Sequence, residues 1–127
     1  MRAIRSHLAQ NGLLAAAVRD PEVFRVISLV HEDAALPWTL ASMSASVGLS
    51  RSSFAERFTA ATGTSPADYV TNWRMHRASK LIRQQGATIY AVALSVGYTS
   101  EAAFARAFRR VVGVSPGKFA RTPVGAG

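Results

Sequence analysis

The chain has no cysteine. That excludes disulfides, thiol nucleophiles and cysteine-based zinc sites, and it suits a reducing cytoplasm. Its three histidines, His7, His31 and His76, are scattered without metal-ligand spacing, so no metal is expected. No run of about 18 apolar residues occurs, so no helical membrane span is expected. The N-terminal stretch carries early arginines, a short apolar run and no convincing cleavage site, which argues against a signal peptide. There is no glycine-rich phosphate loop, no Ser/His/Asp grouping and no acid/base carboxylate pair. The expectation is a non-enzyme with no cofactor and no small-molecule ligand.

Acidic residues are also scarce, with seven Asp and Glu against 15 Lys and Arg, a net charge of +8. The scarcity is uneven. Residues 1–70 carry six of each sign, whereas residues 71–127 carry nine basic residues and one acid, Glu101. A surface of one sign confined to one half points to a polyanion partner. A chain of 127 residues is expected to form one domain, or two very small ones sharing a core. Hydrophobic residues make up 49%, and many are alanines, which suits close helix–helix packing. No strand-like alternation of any length is present, so the fold class is expected to be all-α.

What the chain does have is a duplication. Residues 47–70 read VGLSRSSFAERFTAATGTSPADYV, and residues 96–120 read VGYTSEAAFARAFRRVVGVSPGKFA. One residue is inserted early in the second copy. Gly48 then matches Gly97, Phe54 matches Phe104, Phe58 matches Phe108, Gly63 matches Gly113 and Ser65-Pro66 matches Ser115-Pro116. Each copy reads as a helix-turn-helix: a short helix, a glycine whose positive φ makes the turn, and a second helix opened by a serine cap.

The expected organisation follows from these signals. Residues 1–20 form a helical extension or linker remnant, and residues 21–66 a first helix-turn-helix subdomain. Residues 67–86 form a long connector helix, 87–121 a second subdomain, and 122–127 a flexible tail. Asp20-Pro21-Glu22 starts a helix with a stripe of Val23, Ile27 and Val30 and Phe24 beside it. Leu40, Met43 and Val47 share one face of the next helix, and Tyr69, Trp73, Ala78, Leu81 and Ile82 give the connector an apolar side. Trp38 and Trp73 are expected to be partly buried packing residues.

In a helix-turn-helix the second helix lies in the major groove, so its free face carries the site. Phe54 and Phe58 define the buried direction in the first copy, which leaves Ser52, Glu56, Thr59 and Ala60 outward with Ala55 at the flank. Arg51 stands at the N-terminal edge, and Ser52 and Ser53 can bond phosphates or base edges. Glu56 would repel phosphate but can accept from a cytosine amino group. In the second copy Ala102, Arg106, Arg109 and Arg110 point outward with Ala105 at the flank, and arginine suits both guanine and phosphate oxygens.

The pattern Gly48, Ser50, Phe54, Phe58, Gly63, Pro66, repeated as Gly97, Ser100, Phe104, Phe108, Gly113, Pro116, resembles the AraC/XylS family of bacterial transcription regulators. Over residues 96–116 it is similar to that family's signature throughout, and the resemblance covers about residues 22–121. Asp20-Pro21 and Leu36-Pro37-Trp38-Thr39 look like the subgroup with a cupin-type sensor domain upstream. The resemblance implies about seven homeodomain-like helices that bind double-stranded DNA sequence-specifically and regulate transcription. Recognition helices at about 50–62 and 100–112 would enter major grooves on one face of the duplex. By position it implies base reading by Arg51, Ser52, Ala55 and Glu56, and by Thr99, Glu101, Ala102, Ala105 and Arg106. Ser53, Ser100, Arg109 and Arg110 complete the expected DNA-binding set, and Arg74 stands where family members often carry a connector arginine.

Ala55, Ala102 and Ala105 offer no hydrogen bond, only contact with a thymine methyl, and Glu56 replaces a more usual long polar or basic residue. The competing expectation is therefore a protein-interaction module with degenerate DNA reading. RNA polymerase is a further expected partner, and the chain is expected to bind DNA as a monomer. About twenty residues precede the DNA-binding part, too few for a sensor. Either a stand-alone regulator controlled by its abundance or a piece of a longer protein is expected.

Overall fold

A computed structural model describes residues 19–122. The expected extension before Arg19 and most of the expected tail lie outside the described residues. Among the described residues there are seven helices and no strand: α1 (Pro21–Glu32), α2 (Leu40–Ser46), α3 (Arg51–Thr62), α4 (Pro66–Ile82), α5 (Ile89–Ser95), α6 (Glu101–Val112) and α7 (Pro116–Arg121).

Each helix starts where a short polar side chain accepts a bond from an otherwise orphaned amide. Asp20, Thr39, Ser50, Ser65, Thr88, Ser100 and Ser115 cap α1 to α7 in turn, taking the amides of Val23, Ser42, Ser53, Asp68, Ala91, Ala103 and Lys118. Such a cap contributes about 1 kcal/mol relative to alanine. Proline occupies the first turn of α1, α4 and α7, where no donor is needed.

Helices α1 to α3 pack on each other and on the first half of α4, while α5 to α7 pack on each other and on its second half. The first core gathers Val23, Val26, Ile27, Val30, Met43, Phe54 and Phe58 with Tyr69 and Val70. The second gathers Met75, Ala78 and Ile82 with Val92, Val96, Phe104 and Phe108. At 100° per residue, the α4 positions that serve the two cores lie roughly 160° apart. The connector thus does not have the single apolar side expected of it. Tyr69 and Trp73 face one core, and Ala78, Leu81 and Ile82 the other.

On α1 the expected stripe of Val23, Ile27 and Val30 is buried and is joined by Val26, with Phe24 beside it 38% exposed. Two further expectations are corrected. Leu40, in the first turn of α2, is 36% exposed, and the inward face there is Met43 and Ser44. The connector helix ends at Ile82 rather than at residue 86, with Arg83 as its cap and Gly86, at φ +80°, in the turn beyond.

The end of α1 is held to α4 through aromatic rings. His31 stacks on Trp73 with centroids 3.8 Å apart and bonds the Tyr69 hydroxyl through Nε2 at 2.7 Å. The His76 ring lies 5.7 Å from that of Trp73. Trp38 is tied by its indole N–H to the Asp33 carbonyl at 2.8 Å.

Candidate nucleic-acid interface

The duplication is repeated in three dimensions. Phe54 and Phe58 on α3 are 5.6 Å apart at 50°, and Phe104 and Phe108 on α6 are 5.7 Å apart at 48°. Phe58 meets Tyr69 edge-on at 5.6 Å, and Phe108 meets Phe119 edge-on at 5.4 Å. All four phenylalanines are buried. The same aromatic bed therefore fixes which face of α3 and of α6 turns to solvent. Gly63 and Gly113 end both helices in the left-handed conformation.

The expected site residues fall on those outer faces. Arg51, Ser52 and Glu56 of the first unit are exposed, as are Thr99, Ser100, Glu101, Ala102, Arg106, Arg109 and Arg110 of the second. Ser53, Ala55 and Ala105 are half-buried at the edges. The hydroxyl oxygens of Ser50 and Ser100 are already engaged in capping, at 3.1 and 3.2 Å from their amide donors.

The two outer faces carry opposite charge at equivalent positions. Arg51 corresponds to Glu101, and Glu56 to Arg106. Thr59 and Ala60 correspond to Arg109 and Arg110. The first face is balanced, and the second carries three arginines against one glutamate.

One arginine of α3 is used otherwise. Arg57 bonds Asp20 through Nε at 2.9 Å and Nη2 at 2.6 Å, and Glu22 through Nη2 at 2.8 Å. Its guanidinium clamps the start of α1 to α3 instead of facing a ligand. The bond to Arg57 holds the Asp20 carboxyl below its ordinary range, against the opposing effect of burial. The two carboxylates in turn raise the Arg57 pKa. The equivalent residue in the second unit is Ala107, 6% exposed. Arg57 against Ala107 marks the position as different between the copies, but nothing near it in sequence points to Asp20 and Glu22, 37 and 35 residues away. Buried titratable groups cluster elsewhere: burial lowers the His31 pKa, with a further contribution from His76, and pushes the Tyr69 hydroxyl up to about 12. No group of three or more His, Cys, Asp or Glu able to hold a metal occurs among the described residues.

The profile of an AraC-type helix-turn-helix domain matches residues 43–122. The chain belongs to this family. Within it, the chain is 39% identical over 125 residues to an AraC-like transcription regulator of Streptomyces lividans, an alignment taking in 94% of this chain and 41% of the relative. The chain spans about two-fifths of the length of the curated relatives it matches, at 41% for each of two Streptomyces regulators. Among solved structures, the domain is similar to a DNA-binding transcriptional dual regulator from Escherichia coli K-12, with 31% identity, a TM-score of 0.70, and coverage of 78% of this chain and 88% of that one. It is also similar to the DNA-binding domain of the global transcriptional factor AdpA in complex with a target DNA, with 26% identity, a TM-score of 0.74, and coverage of 77% and 88%.

Proposed function

We propose that this AraC-type domain binds double-stranded DNA sequence-specifically and regulates transcription, with α3 and α6 each entering a major groove on one face of the duplex. The observation that carries the reading is the repeated aromatic bed, which presents two equivalent helices outward and puts Arg106, Arg109 and Arg110 on the second. Arg106 is the strongest base-reading candidate, since its fork matches the guanine edge. Arg109 and Arg110 contact phosphates. Arg51, Ser52 and Glu56 read a weaker block, and Thr99, Ser100, Glu101 and Ala102 flank Arg106. Residues 21–66 and 87–121 act as the two reading subdomains, and 67–86 join them. The 17-residue connector spans about 26 Å at about 1.5 Å per residue. Same-face grooves lie about 34 Å apart. The duplex therefore bends, or the second unit inserts while the first rests on backbone. Two readers on one chain let it bind asymmetric DNA as a monomer, in the cytoplasm where RNA polymerase works.

The test is selection of bound duplexes from a random library, then titration of the winner. Arg106→Ala is expected to weaken that complex by about 1–3 kcal/mol, as for a lost bidentate contact. Equal affinity on the same duplex would remove Arg106 from base reading. The balanced charge and alanines of the first face favour a second reading, a protein-interaction module. Weak, salt-insensitive binding to every duplex would support it.

A further inference from the structure

Arg74 sits on α4 between Trp73, which packs on the first core, and Met75, which belongs to the second. Its side chain leaves the helix for the loop between α1 and α2. Nε donates to the Ala34 carbonyl at 2.8 Å, and Nη2 to the Leu36 carbonyl at 2.6 Å. The guanidinium carbon lies 5.8 Å from the centre of the Tyr98 ring, just after the turn of the second unit. A Cβ on Gly97, in that turn, would stand 3.0 Å from the Ala35 carbonyl oxygen and 3.2 Å from the Arg74 guanidinium carbon. The loop of the first unit and the turn of the second therefore touch, with Arg74 bonded to one and lying against the other. The first unit supplies an internal control. Gly48 is the matching turn glycine, also at positive φ, and a Cβ there would meet nothing within 4 Å. The turn of one unit is open and the turn of the other is docked.

We propose that Arg74 is a positioning residue that fixes the orientation of the second helix-turn-helix against the first, with Gly97 kept free of a side chain so the two can meet. A planar guanidinium holds its donors at fixed spacing and meets two carbonyls without further ordering; a lysine ammonium has three donors but carries them on a flexible stem. The consequence for DNA rests on the reading of α3 and α6 given above. Two linked readers gain from each other only when the linkage matches the spacing of their sites, and a looser linkage spreads that gain over many spacings.

The absence of native cysteine makes a direct test possible. Spin labels at Ala45→Cys and Ala120→Cys, one exposed position in each unit, report the distance between units by pulsed electron resonance. The Arg74→Ala change is expected to broaden a narrow distribution while helical content by circular dichroism is kept. Gly97→Ala is expected to do the same, and Gly48→Ala is not. An unchanged distribution in Arg74→Ala overturns the proposal. If that variant does not fold, Arg74→Lys carries the same comparison. In a second arm, the duplex selected by the wild type is lengthened by one or two base pairs between its blocks. The wild type is expected to lose about tenfold in affinity, one good contact's worth, and Arg74→Ala markedly less. An identical spacing profile for both proteins counts against Arg74. Failure of the wild type to bind any duplex counts against the DNA reading, and the distance measurement still decides the role of Arg74.

Discussion

Arg57 and Ala107 occupy the same place in the repeat, yet one carries a paired charge and the other fills a core. The difference comes from Asp20, which serves both as the cap of α1 and as the carboxylate that Arg57 needs. His31 is the other residue whose environment sets its charge. Held among Tyr69, Trp73 and His76, its imidazole has a pKa below its ordinary 6.5, so the fold favours the neutral ring. The unfolded chain then takes up that proton first, and stability falls as pH drops below 6.5 until the folded value is passed. Asp20 adds a later step: its carboxyl is depressed from 3.8, so its contribution is present above that value and lost as pH falls through the folded one. Thermal denaturation followed from pH 7.5 to about 3 should show both declines. His31→Gln is expected to remove the first and leave the second. Persistence of the first decline in that variant would assign it to another group.

Among the elements, α3 and α6 carry the sharpest separation between an inner face that holds the fold and an outer face that does not. Phe104 is fully buried against Tyr98 and Phe108. Replacing it by alanine is expected to cost about 3–5 kcal/mol in urea unfolding. Ala102→Ser, on the exposed face of the same helix, should stay within about 0.5 kcal/mol. A cost below about 1 kcal/mol for Phe104→Ala would mean that the second core does not depend on its aromatic bed. Much of this element layout was legible in the sequence. Short polar caps before apolar stretches, and glycines after them, act within a few residues, so helix starts at Asp20, Thr39, Ser50, Ser65 and Ser100 could be read directly. The connector could not be read this way. Its apolar residues shift phase between Trp73 and Met75, and a single helical period merges two faces that serve different cores. Leu40 matched the period but sits in the first turn, before α2 has reached its neighbours.

At the scale of the molecule, charge is divided as the chain is. Asp20 and Glu22, at the start of α1, are drawn into the Arg57 clamp, while Arg106, Arg109 and Arg110 stand exposed on α6. Binding should therefore fall steeply with salt. Replacing both Arg109 and Arg110 by serine is expected to make the slope of log affinity against log salt shallower by about 1.8, at about 0.9 per lost phosphate contact. Titration of the selected duplex at several salt concentrations measures this, and an unaltered slope would place both arginines away from the backbone. The outer arginines of α6 were legible because helical period and charge coincide there. The Arg57 clamp and the Arg74 junction were not, because their partners lie 37 and 40 residues away in sequence and meet only through the fold.

The inversion of charge between Arg51 and Glu101, and between Glu56 and Arg106, gives the domain a heading. A symmetric dimer meets a palindrome identically from either end. With α3 and α6 as the two proposed readers, this chain cannot: turn its site end for end, and the protein must turn with it. Whatever is joined ahead of Arg19 is then carried to the other side of the site, so the direction in which an operator is written becomes part of its message.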